Sequence, residues 1–232
     1  MDRRILAFTG AHPFVLEEQI DQFLSAEQSL VAEQLALLEV ARLVRMERLR
    51  PQQPSFVRVT ASGLSVIGSR LPAPGLDVVD YRHEVGVVWL WVAAWQGVFG
   101  EAERVLSRRE MQALDRATGE VGDGDGRFAV PVAAGAAADR QLYPDVMLVF
   151  GSERVAVHLV TWPHRRLDLD ALLAGHGMRP DVADIVLVFV DDISVGREVR
   201  AAAERQSMSE KVRVQRVAGE GTALPRGTPS AG

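Results

Sequence analysis

The chain has 232 residues, 47% of them hydrophobic and 25% charged, and a net charge of −5. This globular composition is long enough for one large or two modest domains. It excludes a generally basic, DNA-coating protein, and the absence of cysteine excludes a disulfide scaffold or a thiolate zinc site.

No run reaches the ~20 apolar residues of a membrane span. The longest candidate, Val85 to Phe99, contains Gln96 and two glycines. Arg3 and Arg4 are not followed by a sustained apolar run, so a secretory signal is not expected. A cytoplasmic location and no membrane partner are the expectations.

Phe14, Leu16, Ile20, Phe23 and Leu24 fall on one stripe and predict a helix over Pro13 to Leu24. Ser25 with Gln28 three residues on resembles a capping box. It opens a second helix, Ala26 to Leu43, with Leu30, Leu35, Leu38 and Val31 facing inward. Two extended runs follow, Leu43 to Leu49 and Phe56 to Val59, joined by a turn at Pro51 to Ser55. Helix, helix, then a hairpin with a proline-bearing turn is the layout of a winged helix.

Such a unit reads DNA by placing its second helix in the major groove while the hairpin touches phosphates. Ala26 to Ala41 has no basic residue. Gln28 and Gln34 are its candidate base readers, since an amide side chain can bond adenine in bidentate fashion. The cations come afterwards: Arg42, Arg45, Arg48 and Arg50 on the first strand and Arg58 on the second. Their expected role is phosphate contact.

Pro72 and Pro74 mark Gly68 to Gly75 as a linker. A helix from Tyr81 to Gly97 follows, with Trp91 and Trp95 four residues apart and almost no charge after Val85, so it is expected to be buried. Gly119 to Arg127 reads as a glycine- and acid-rich loop. Apolar runs then predict strands at Phe128–Val132, Val146–Phe150, Arg154–Thr161, Ile185–Val190 and Val212–Val217. Helices at Leu167–Gly175 and Val195–Gln206 separate the later strands, which implies a partly parallel sheet. The Pro/Gly-rich tail from Ala218 is expected to be disordered.

The ordered set Val59-Thr60-Ala61-Ser62-Gly63-Leu64, Tyr81-Arg82-His83-Glu84, Leu106-Ser107-Arg108-Arg109-Glu110-Met111, Tyr143-Pro144-Asp145 and Val155-Ala156-Val157-His158 resembles a known family. It is that of the replication-relaxation, or mobilisation-accessory, proteins of actinobacterial plasmids and phages, and the similarity runs over about residues 14 to 217. The resemblance implies a winged helix (1–67), a linker (68–80), a domain related to the PD-(D/E)xK nucleases (81–217) and a tail (218–232). The fold class is accordingly α+β and α/β, with a mixed central sheet in the second domain.

In a PD-(D/E)xK site, one Asp starts a strand, and the next strand supplies an acid and a lysine on one face to hold Mg²⁺. Asp145 matches the first position. His158 and Val160 stand where the family carries acids, and no lysine follows near His164. One carboxylate is a poor Mg²⁺ site, so Asp145 is expected to cap a strand end and His158 to be a hydrogen-bonded, partly buried residue. Asp145 with His158 and His164 as a zinc site is the less favoured alternative. Neither metal nor cofactor is expected.

Other motifs carry less. Asp123-Gly124-Asp125-Gly126 lacks the remaining ligands of a calcium loop. Asp191-Asp192 is expected to cap the following helix, and Gly175-His176-Gly177 to terminate the preceding one. Three functions stay open: a non-enzymatic DNA-associated protein of a mobile element, a protein-interaction or assembly module without DNA binding, and an unusual nuclease using Asp145 and His158; a homodimer stays open beside them.

Overall fold

The structure is a computed structural model that describes residues 1–75, 81–118, 127–132, 141–161 and 168–217. The acidic loop with Asp123 and Asp125, His164 and the tail from Ala218 lie outside the described residues. The fold is mixed α+β and divides into two compact units, Met1–Gln96 and Gly97–Gly232. No helix among the described residues is long and apolar enough to cross a membrane.

The first unit opens with α1 (Asp2–Ala11), which the sequence reading missed. Next come β1 (Val15–Leu16), α2 (Glu17–Leu24), α3 (Gln28–Val40), β2 (Val44–Glu47), β3 (Phe56–Val59) and α4 (Ala61–Val66). The three strands form a sheet in the order β1-β3-β2, antiparallel throughout. Phe14, Leu16 and Phe56 pack together, with Leu49, Tyr81 and Val85 against them.

One local expectation is corrected here. Ser25 does not open α3; it closes α2 in the left-handed region at φ 51°, with the Ala26 amide bonded to the Asp21 carbonyl. The N-cap of α3 is Glu27, whose side chain makes no capping bond.

The long helix α5 (Tyr81–Trp95) also belongs to the first unit, so the division falls at Gln96, well after the 68–80 segment. The reason is packing. Gln19, fully buried on α2, accepts the Leu16 amide at 2.9 Å and donates to the Val85 carbonyl at 2.9 Å. Trp91 sits within ring-contact distance of Phe8, His12 and Phe23. Trp91 and Trp95 stack at 5.4 Å, but Trp95 stays half-exposed.

The second unit has β4 (Arg104–Ser107), α6 (Arg108–Thr118), the short pair β5 (Val130–Pro131) and β6 (Gln141–Leu142), then β7 (Val146–Phe150) and β8 (Glu153–Val160). It continues with α7 (Leu169–Met178), β9 (Ile185–Val190), α8 (Ile193–Arg205) and β10 (Val212–Arg216). The main sheet runs β10-β9-β8-β7-β4, parallel between β8, β9 and β10 and antiparallel between β8, β7 and β4. Strand alternation puts Ala156, His158 and Val160 on one face of β8. Ala156 packs with Met111, Phe128 and Met147, and Val160 with Leu173, Val188 and Val195.

Gly175 lies inside α7 and is not a terminator. A Cβ there would come within 2.3 Å of the Pro131 carbonyl oxygen, so glycine is what lets β5 approach the helix. Gly175→Ala is expected to cost about 2 kcal/mol by overpacking, despite alanine's better helix propensity. A denaturant midpoint equal to or above that of the parent would contradict this.

Candidate functional site

Two clusters contain the sequence-predicted residues. The first surrounds the end of α3 and the hairpin. The helix terminates with Arg42 in the left-handed region at φ 58°, while the Leu43 amide bonds back to the Leu38 carbonyl. This is the Schellman arrangement, in which glycine is the usual residue. Thr60 ties the turn down by donating to the Arg42 carbonyl at 2.8 Å and capping α4 at Gly63. A Cβ on Gly63 would fall 2.2 Å from the Leu43 carbonyl oxygen, which accounts for the small residue in Val59-Thr60-Ala61-Ser62-Gly63-Leu64.

On the hairpin, Arg45 stands directly opposite Arg58. Arg58 is half-buried and lies 3.6 Å from Glu47, so part of its charge is already answered. Strand β2 ends at Glu47, which moves Arg48 and Arg50 off the strand, where they were expected, and into the turn. Arg48 donates to the Pro51 carbonyl at 3.4 Å. Arg42, Arg45, Arg48 and Arg50 are all exposed and make no ion pair with a described residue.

Helix α3 buries Val31, Leu35 and Leu38. Leu30, expected inside, is 51% exposed, and Leu37 and Val40 are 63% and 84% exposed. Gln28 is exposed and Gln34 partly buried. Six residues apart, these two amides lie about 120° from each other around the axis, on either side of the buried face of Val31, Leu35 and Leu38. The outward face holds Leu30, Glu33, Leu37 and Val40 instead.

The second cluster sits where β4 ends and β7 begins. Asp145 is 3% exposed. Its amide donates to the Val157 carbonyl at 3.0 Å, and its Oδ2 accepts the Leu159 amide at 2.8 Å. Its Oδ1 pairs with the Arg108 guanidinium at the start of α6. The carboxylate thus closes the last rung between β7 and β8, as expected of a strand cap, and α6 supplies its counter-charge.

Glu110, a carboxylate that could have completed a metal site, is engaged nearby. Its Oε2 accepts the Ser107 amide at 2.8 Å and hydroxyl at 2.9 Å, while the Ser107 hydroxyl accepts the Glu110 amide at 3.3 Å. This reciprocal capping box explains Ser107-Arg108-Arg109-Glu110 as a helix start. Glu103 lies at the opposite end of β4, its amide on the Val149 carbonyl, and Glu84 belongs to the other unit. No group of three metal-ligating side chains occurs among the described residues.

His158 is buried and its Nε2 lies 2.9 Å from Nε2 of His176 on α7, with the rings edge to face. Sequence reasoning missed His176, and made His158 more exposed than it is. Burial, and then the charge of His158, hold the His176 imidazole down at about 3. Val160 is simply core. Beside this cluster the Tyr143 hydroxyl is pushed up to about 12, first by burial and then by the charge and hydrogen bond of the fully buried Asp115. Asp192 caps α8 by accepting the Ser194 amide at 2.6 Å, and Asp168 caps α7.

The two clusters offer different chemistry. The first presents exposed guanidinium groups and an apolar helix face to solvent. The second holds its carboxylates on backbone amides, the Ser107 hydroxyl and an arginine, so each is tied into the local fold. No family model, curated protein or solved structure matches this chain.

Proposed function

We propose that this chain is a non-catalytic DNA-associated protein whose hairpin arginines grip the phosphate backbone. The observation that carries this reading is the set of four exposed arginines, Arg42, Arg45, Arg48 and Arg50, at the end of α3 and along the hairpin. The order helix, strand, helix, helix, hairpin with a β1-β3-β2 sheet supports a winged helix as their carrier. In the second unit, the engagement of Asp145 by Arg108 and Leu159 supports a nuclease-like core that no longer cleaves. The family resemblance adds the setting, replication, transfer or gene control of a mobile element.

Arg42 sharpens the case. A non-glycine residue in the left-handed region costs about 1 kcal/mol, so Arg42→Gly is expected to leave the fold equally or more stable while weakening DNA binding. The same gain with binding intact would remove Arg42 from the DNA-facing surface. Replacing Arg42, Arg45, Arg48 and Arg50 by Ala should weaken binding of a duplex in mobility-shift titrations. It should also flatten log K against log [salt] by roughly 0.9 for each phosphate that an arginine no longer neutralises. Unchanged affinity and slope would sink the proposal.

A second reading, a protein-assembly module, is favoured by one specific observation: the groove-facing side of α3 is apolar and acidic. The two readings use different surfaces and can both hold.

A further inference from the structure

Helix α3 is 13 residues long and buries only Val31, Leu35 and Leu38. Leu30, Leu37 and Val40 on the far side are three of the large apolar side chains most open to solvent. With Glu33 they recur at spacings of three, four and three. That is the seam spacing of helices that pack side by side at a shallow angle. A stripe of this kind on an exposed helix face is where an interaction surface is expected.

The charge around the stripe restricts what can cover it. Glu33 lies between Leu30 and Leu37, and its side chain makes no hydrogen bond or ion pair with a described residue; the side chain of Glu27, at the N-cap one turn before Leu30, is likewise unengaged. Glu39, the other acid of the helix, is off the stripe and accepts the Met46 amide at 2.9 Å. No basic residue occurs from Ala26 to Ala41. A second copy of α3 would therefore put two Glu33 carboxylates into one apolar seam with no basic residue on either helix to pair them, and burying charges without partners is costly. DNA is disfavoured on the same face for the same reason.

We propose that the outward face of α3 docks an amphipathic helix of a partner protein, one with apolar residues at coiled-coil spacing and basic residues opposite Glu33 and Glu27. An antiparallel run satisfies the most requirements. It brings the partner's C-terminal half, where basic residues are favoured by the helix dipole, beside Glu27 at the N-cap and Glu33 in the second turn of α3. It also leaves Leu37 and Val40 for the partner's apolar N-terminal half.

The probe is a labelled synthetic helical peptide with leucines at alternating three- and four-residue spacing and lysines in its C-terminal half. Its control has glutamates in place of those lysines. Fluorescence anisotropy with the full chain should show binding of the lysine peptide, about fivefold or more tighter than the glutamate peptide. Leu37→Asp should weaken it about tenfold or more. The double variant Glu27→Lys, Glu33→Lys should reverse the preference. All these positions are exposed, so circular dichroism should show the parent's fold in each variant. Absence of binding, or a charge preference that the double variant leaves unchanged, overturns the proposal. Sedimentation of the chain alone as a dimer that Leu37→Asp dissociates overturns it in favour of a second copy.

Discussion

Asp145→Ala is expected to destabilise the second unit by about 3 kcal/mol without altering any nucleic-acid cleavage. The carboxylate is 3% exposed and holds the Leu159 amide and the Arg108 guanidinium, so its removal orphans a buried donor and takes from Arg108 its buried counter-charge. An orphaned buried donor costs about 1–3 kcal/mol, and breaking a buried ion pair about 3–5. Because the Arg108 side chain is 38% exposed, it can rehydrate, which places the expected cost at the lower end. Asp145→Asn should recover part of the stability, since the amide oxygen can still accept from Leu159. A double-mutant cycle with Arg108→Ala separates the two contributions, with coupling expected at about 1–2 kcal/mol. The same variants distinguish a strand clamp from a degenerate active site. Mg²⁺- or Mn²⁺-dependent cleavage by the parent that disappears in Asp145→Ala at full folding would show that the clamp is also a ligand.

The parts legible in the sequence are those in which one pattern has one physical reading. The run Ile185 to Val190 is apolar throughout, and is a strand because it lies inside a sheet between β8 and β10. The helix from Tyr81 was equally plain, but not its owner. The proline-bearing segment before it looks like a domain boundary by composition, whereas the actual division is set by which surface Gln19, Phe8 and Phe23 offer to Val85 and Trp91. Helix α3 is apolar on more than one side, so periodicity could not decide whether Leu30 or Val31 faced inward. Arg42 and Ser25 hold left-handed turns without glycine, and therefore gave no signal of where their helices end.

The site was half legible. Asp145, Arg108 and Glu110 all lay within motifs; the Ser107–Glu110 capping box is local, but the role of Arg108 depends on Ser107 pairing with Val146, a long-range register. His176 was hidden by its two glycine neighbours, which look like a terminator. Only the close approach of Gly175 to Pro131 shows why a glycine stands inside the helix. The pairing of His158 with His176 joins a strand to the helix that follows it, and no local pattern foretells it.

That pair sets the second large expectation, a fall in stability in mild acid. At 2.9 Å between Nε2 atoms, one imidazole must donate and the other accept, so the buried pair holds at most one extra proton before two cations face each other. The unfolded chain carries the same two histidines in water, where each takes a proton near 6.5. The folded chain therefore binds at least one proton fewer between pH 6.5 and the His176 value of about 3. Stability is then full above about pH 7 and falls as the pH drops below 6.5, at about 1.4 kcal/mol per pH unit per withheld proton. Between pH 7 and 4.5 the decrease should reach roughly 2.5 kcal/mol. The carboxylates with lowered values, Asp170, Asp181 and Asp192, add to acid unfolding only below about 4, because their ordinary value is 3.8. The interval from 4.5 to 6.5 therefore belongs to histidine. His176→Gln keeps a donor toward His158 and removes the second imidazole. Denaturant titrations of this variant and the parent at pH 7, 6, 5 and 4.5 should give lines that differ in slope by close to one proton across that interval. Parallel lines would mean that removing the second imidazole leaves the proton uptake on unfolding unchanged, and that the 2.9 Å approach of the two rings imposes no restriction on their charge.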